Sequence, residues 1–115
     1  MRDCLHPRDL APLLERQFAA RSEKGDRPRI VNVAGGAENT MSLAQLSAWC
    51  AERFGARPVS SEPANRPFDV PWLVLDSTLA AREWAWNPAT PVPRILEEIA
   101  EHAEQNPGWL ELSRA

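Results

Sequence analysis

The sequence predicts an α/β chain with a few short strands and three to four helices. Two stretches carry that expectation. In residues 30–54, an apolar β-branched run (Ile30, Val31, Val33) is followed by Gly35-Gly36 and then by a helical pattern. That order is strand, tight turn and helix, one unit of a doubly wound sheet. In residues 90–105, Thr90-Pro91 marks a helix start, and Ile95, Leu96, Ile99, Ala100 and Ala103 share one face.

The remaining elements follow in chain order. Leu10, Leu13, Leu14 and Phe18 give a helix over 9–20. Pro12 fits there only if it lies in the first turn, where a missing N–H costs nothing. Residues 21–28 are charged, carry Gly25 and Pro28, and read as a loop. Ser42 with Gln45 makes a capping box, and Leu43, Leu46, Trp49, Cys50 and Phe54 form a helical face that Gly55 ends. Arg57–Ser60 reads as a short edge strand, where Pro58 is admissible. Residues 58–71 hold four of the eleven prolines, so most of that stretch is a long loop. Trp72–Leu75 is a short extended run. Asp76, Ser77 and Thr78 suit a helix start, and the helix must stop before Asn87-Pro88. Asn106-Pro107-Gly108 closes the last helix.

Composition narrows the function classes. A chain of 115 residues is normally one domain and buries about two-thirds of its unfolded surface. Its net charge is −3, with basic residues scattered among acids, which argues against nucleic acid as a partner. No apolar run approaches the roughly 20 residues that span a bilayer, and no leader-like apolar segment follows Met1. Cys4 and Cys50 lack neighbours at metal-ligand spacing and read as reduced thiols, so a cytoplasmic location is expected. Tyrosine is absent, and Lys24 is the single lysine.

Few residues suggest chemistry on their own. His6 beside Asp9 has the makings of an oriented base, against the simpler reading that both hold a turn together. Arg66 and Asp69 sit in the proline-rich loop. There an arginine fork can take a phosphate and a carboxylate can take ribose hydroxyls, or the two can form a solvated ion pair. His102 and Glu101 fall on the polar face of the last helix. Trp49, Trp84 and Trp86 read as core rather than a stacking platform, because no basic groove accompanies them.

The order of these pieces carries more than any one of them. Arg2-Asp3-x-x-His6-x-x-Asp9-Leu10, Val31-Asn32-Val33-x-Gly35-Gly36 with Ser42-Leu43-x-x-Leu46, Arg66-Pro67-x-Asp69, and Asp76-Ser77-Thr78-x-Ala80 through Trp86-x-Pro88 follow one another along the chain. In that order they resemble the C-terminal part of the extended short-chain dehydrogenase/reductases, the NAD-dependent nucleotide-sugar epimerases and dehydratases. The Gly-Gly-x-Glu-Asn-x-x-Ser run at 35–42 and the Arg-Pro-x-Asp-Val loop at 66–70 are most similar to the members that act on CDP-sugars. The sequence departs from the family pattern at Val31, Ala34, Leu79 and Ala85, which stand where an aromatic, a glycine, a lysine and a glycine are usual.

The resemblance implies a fragment of a Rossmann-like fold and a nucleotide-sugar ligand, with a CDP-sugar favoured. It assigns the diphosphate to Arg66 and Arg2, the ribose to Asp69, and the adjoining pocket wall to Asn32 and the glycine turn. The family binds NAD through an N-terminal glycine fingerprint and works through a Tyr-x-x-x-Lys pair, in which the phenol serves as the acid–base group. This sequence contains neither, so no cofactor-binding or catalytic residue is expected in it. The expectation is the substrate side of such an epimerase, incompetent alone and completed by a separate cofactor-binding half. The alternatives are a non-catalytic module that binds a nucleotide-sugar or a protein, self-association, and an inactive remnant.

Overall fold

The computed structural model describes residues 1–22, 27–28, 30–60 and 68–109, with only the backbone at Ser22. Within these residues the protein is a mixed α and β chain with four α-helices and one two-stranded sheet. The sheet pairs β1 (Arg2–Asp3) antiparallel with β2 (Thr40–Met41), Arg2 opposite Met41 and Asp3 opposite Thr40. A single parallel bridge joins Arg2 to Leu73, where the sequence predicted an extended run.

The helices lie close to their sequence signals. A 3-10 turn at Pro7–Leu10 leads into α1 (Ala11–Ala19), with Pro12 in the first turn as required. In α2 (Leu43–Phe54), Ser42 Oγ accepts from Gln45 N–H, and Gln45 Oε1 accepts from Ser42 N–H. Gly55, at φ 88°, ends α2. The third helix, α3 (Thr78–Trp84), stops before Asn87-Pro88, and α4 (Val92–Gln105) begins after Pro91.

Two predicted strands are absent. Residues 30–33 make no ladder hydrogen bonds, because no strand lies alongside them among the described residues. The helix of the predicted strand–turn–helix unit therefore forms without its strand. Arg57–Ser60 is irregular and exposed. The sheet that does form uses β1 and β2, each of two residues and too short to leave a period-two signal.

The core is small. Leu13, Ala80 and Trp86 form its buried centre, with Leu5, Val31, Val33 and Trp84 packed against it. Trp86 is 2% exposed, and its indole N–H donates to the Asp9 carbonyl at 2.6 Å. Trp84 is half-buried; so is Trp49, whose ring meets Phe54 edge-on at 6.0 Å. The predicted face of α2 is largely uncovered: no α2 residue is buried, and Leu43 and Phe54 are 78% and 48% exposed. Arg53 ties α2 to α4 through Glu97 at 3.0 Å and Glu104 at 2.8 Å. These pairs are substantially exposed, and such pairs stabilise by at most about 1 kcal/mol.

Candidate functional site

The N-terminal motif, residues 2–10, supplies many of the long-range polar joints among the described residues. Asp9 is 7% exposed. Its Oδ2 accepts from the N–H groups of Ala89 and Thr90, each at 2.9 Å, and its Oδ1 accepts from the Thr90 hydroxyl at 2.8 Å. Burial pushes this carboxyl up. The Thr90 and Ala89 donors outweigh burial and hold it below the usual carboxylate value. Asn39 completes the joint: Nδ2 donates to Thr90 O at 3.1 Å, and Oδ1 accepts from Val92 N–H at 3.2 Å. It thereby satisfies an orphan donor at the start of α4.

His6 serves the same joint rather than acting as a base paired with Asp9. Its Nδ1 accepts from Arg8 N–H at 3.0 Å, which assigns the proton to Nε2, facing Glu98 at 3.0 Å. Glu98 also receives Arg8 Nη2 at 3.1 Å and Arg94 Nε at 2.9 Å. Burial raises the Glu98 pKa, but Arg8, His6 and Arg94 together hold it below its ordinary value.

Of the residues expected to bind substrate, Arg66 lies outside the described residues. Arg2 and Asp69 come together: Arg2 Nη2 donates to Asp69 Oδ1 at 3.0 Å, across 67 positions of sequence. Arg2 Nη1 also donates to the Met1 carbonyl at 2.8 Å. Both side chains are about half exposed, so the pair is weak enough for a charged ligand to open. They border a cleft of about 330 Å³ lined also by Cys4, Met41, Ser42, Leu43 and Leu46. That volume lies at the low end for small-molecule sites. Burial and the Asp3 charge push the Cys4 thiol up, which keeps it protonated and a poor nucleophile.

Asn32 is not brought to this cleft; it is exposed and does not line it. The glycine turn lines a different cleft of about 690 Å³, with Asp76, Ser77, Asn87 and Thr90 on its other walls. A Cβ on Gly35 would lie 2.0 Å from the Cys4 carbonyl oxygen, so only glycine lets the turn pass that close. The polar groups of this larger cleft are largely engaged. Ser77 Oγ accepts from Ala34 N–H at 3.0 Å, and Asp76 Oδ1 accepts from Thr78 N–H at 2.8 Å. His102 and Glu101 are exposed on α4, as expected.

Asn39, Arg16 and Ser77 carry joints that sequence reading missed. Arg16 Nη1 donates to the carbonyls of both Trp84 and Ala85, holding the turn after α3. Each acts on a residue at least 43 positions away, and such pairs leave no local spacing.

No protein-family model, curated protein or solved structure matches the chain. Among the described residues, no helix is long and apolar enough to cross a membrane.

Proposed function

We propose that the chain is the substrate-binding portion of a nucleotide-sugar epimerase of the extended short-chain dehydrogenase/reductase family, similar to CDP-paratose 2-epimerase. In this reading its helices and small sheet are a fragment of a Rossmann-like fold. The observation that carries the proposal is the meeting of Arg2 and Asp69 at a cleft of ligand size. The resemblance assigns these two residues to one ligand, and the loop that holds Asp69 also holds Arg66. A diphosphate offers more acceptor oxygens than a single carboxylate, so it competes well for Arg2. Asp69, once released, is free to accept from ribose hydroxyls.

Turnover by this chain alone is not expected, because without tyrosine the Tyr-x-x-x-Lys pair cannot form. NAD belongs, in this reading, to a separate half. A second reading, a non-catalytic protein-binding module, is favoured by the exposure of Leu43, Phe68 and Trp72.

Titration calorimetry with CDP and with a CDP-sugar tests the proposal. The parent chain is expected to bind both. Arg2→Ala and Arg66→Lys should each weaken binding by about 1.5–3 kcal/mol, the worth of a charged hydrogen bond. Arg66→Lys keeps the charge but loses the planar fork. Absence of binding by the parent chain, or parent-like affinity in both variants, overturns the assignment.

A further inference from the structure

Residues 1–3 grip a segment far along the chain. Arg2 Nη2 donates to Asp69 Oδ1 at 3.0 Å. Leu73 N–H donates to the Met1 carbonyl at 3.1 Å, and Arg2 and Leu73 form the parallel bridge. In a parallel pair the bonds are evenly spaced along the strand, so Leu75 N–H is the next donor after Leu73. Where a longer ladder would use the Asp3 carbonyl, this N–H goes to the Asp3 carboxylate, whose Oδ2 accepts at 3.1 Å. A carboxylate acceptor makes the bond charge-assisted and stronger than a neutral rung.

We propose that Asp3 is a positioning residue for the cleft of Arg2 and Asp69, keeping Asp69 in place when a ligand opens the pair. This role rests on the nucleotide-sugar reading, in which Arg2 turns to the diphosphate and Asp69 to the ribose. The bond that ties Asp69 to β1 is then gone. Asp69 and Pro71 both line the cleft, so the chain after Asp69 must be held by other means. The anchors that remain are main-chain groups of Met1, on Pro71 and Leu73, and the Asp3 carboxylate on Leu75. Of these, the last is the one made by a side chain. Asp3 does not line the cleft; it acts through residues 69–75.

A double-mutant cycle in CDP titration calorimetry tests this, with hydrogen exchange at Leu75 as a ligand-free readout. Asp3→Ala should weaken CDP binding by about tenfold, through misplacement of Asp69. In an Asp69→Ala background the same change should cost less than about twofold. A role in stability alone would cost the same in both backgrounds. Asp3→Asn keeps an acceptor and should restore most of the affinity. Without ligand, Leu75 N–H should exchange faster in Asp3→Ala than in the parent chain, and in Asp3→Asn by a smaller margin. If Asp3→Ala does not fold, Leu75 exchange in Asp3→Asn decides. Parent-like exchange at Leu75, parent-like affinity in folded Asp3→Ala, or equal losses in the two backgrounds overturns the role of Asp3, while CDP binding by the parent chain leaves the ligand site standing. A parent chain that does not bind CDP overturns both.

Discussion

Two regions of this protein use opposite means of cohesion. Around Asp9 the chain is knitted by paired buried polar groups: Asp9 with Ala89 and Thr90, Asn39 with Thr90 and Val92, and Trp86 with the Asp9 carbonyl. Along α2 and at Ile30 the apolar side chains are largely uncovered, with Ile30 and Leu43 each more than three-quarters exposed. The first region spends its polar residues on long-range joints and encloses a core of only a few side chains. The second offers core-type residues with nothing over them. Stability therefore resides in the polar joint, and the exposed apolar side chains of the second region add little to the core.

Substitution at Asp9 should separate the regions most sharply. Asp9→Ala strands two N–H groups and a hydroxyl in a buried site, and each such group costs about 1–3 kcal/mol. A loss of about 3 kcal/mol or more is expected in urea unfolding. Asp9→Asn still accepts through one oxygen and should lose less. A loss in Asp9→Ala below about 1 kcal/mol, the range of ordinary surface changes, would place cohesion elsewhere.

Acid should act on the same joint. The Asp9 pKa is held below its unfolded value. Its contribution is therefore fully present above the unfolded carboxylate pKa and is lost as pH falls through the lower folded value. Glu98 shifts the same way. Urea midpoints should fall on acidification below the ordinary carboxylate range, and Asp9→Asn should flatten that fall. A parent-like acid slope in Asp9→Asn would contradict this role.

A smaller gain is expected at Ala85, which ends α3 in the left-handed region at φ 50°. Glycine takes that conformation without the strain of about 1 kcal/mol that a Cβ brings. Ala85→Gly should raise stability by roughly 0.5 kcal/mol after the added freedom of the unfolded chain is counted. It should do so only while Arg16 still holds the carbonyls of Trp84 and Ala85, so the gain should shrink in Arg16→Ala.

The smallest effect belongs to the open region. Leu43→Gln on the exposed side of α2 should change the stability of the monomer by no more than about 0.5 kcal/mol. The same substitution at buried Leu13 should cost several times that, so the two variants compared in one urea series bracket the contrast.

What the sequence made legible follows this division. The capping box of Ser42 and Gln45, the first-turn Pro12 and the stop before Asn87-Pro88 are local signals, and each helix they delimit is present. Residues 30–33 failed as a strand because a strand needs a neighbour, which β-branched composition cannot supply. Asp9 stood out in its motif, but its partners 80 and 81 residues away did not. The juxtaposition of Arg2 and Asp69 was legible only through the resemblance, since neither residue's surroundings point to the other. Asn32 was placed on a pocket wall by the same resemblance, and the structure leaves it in solvent.

The proposed ligand site is the cleft of Arg2 and Asp69. Amide chemical-shift mapping of the labelled chain during titration with CDP tests it most directly. The expected result is a cluster of shifts at Arg2, Cys4, Met41 to Leu46 and Asp69, with Asn32 and the Asn87–Thr90 stretch unmoved. Absence of shifts, or shifts gathered at Gly35, Gly36 and Asn87–Thr90 around the larger cleft, would contradict it.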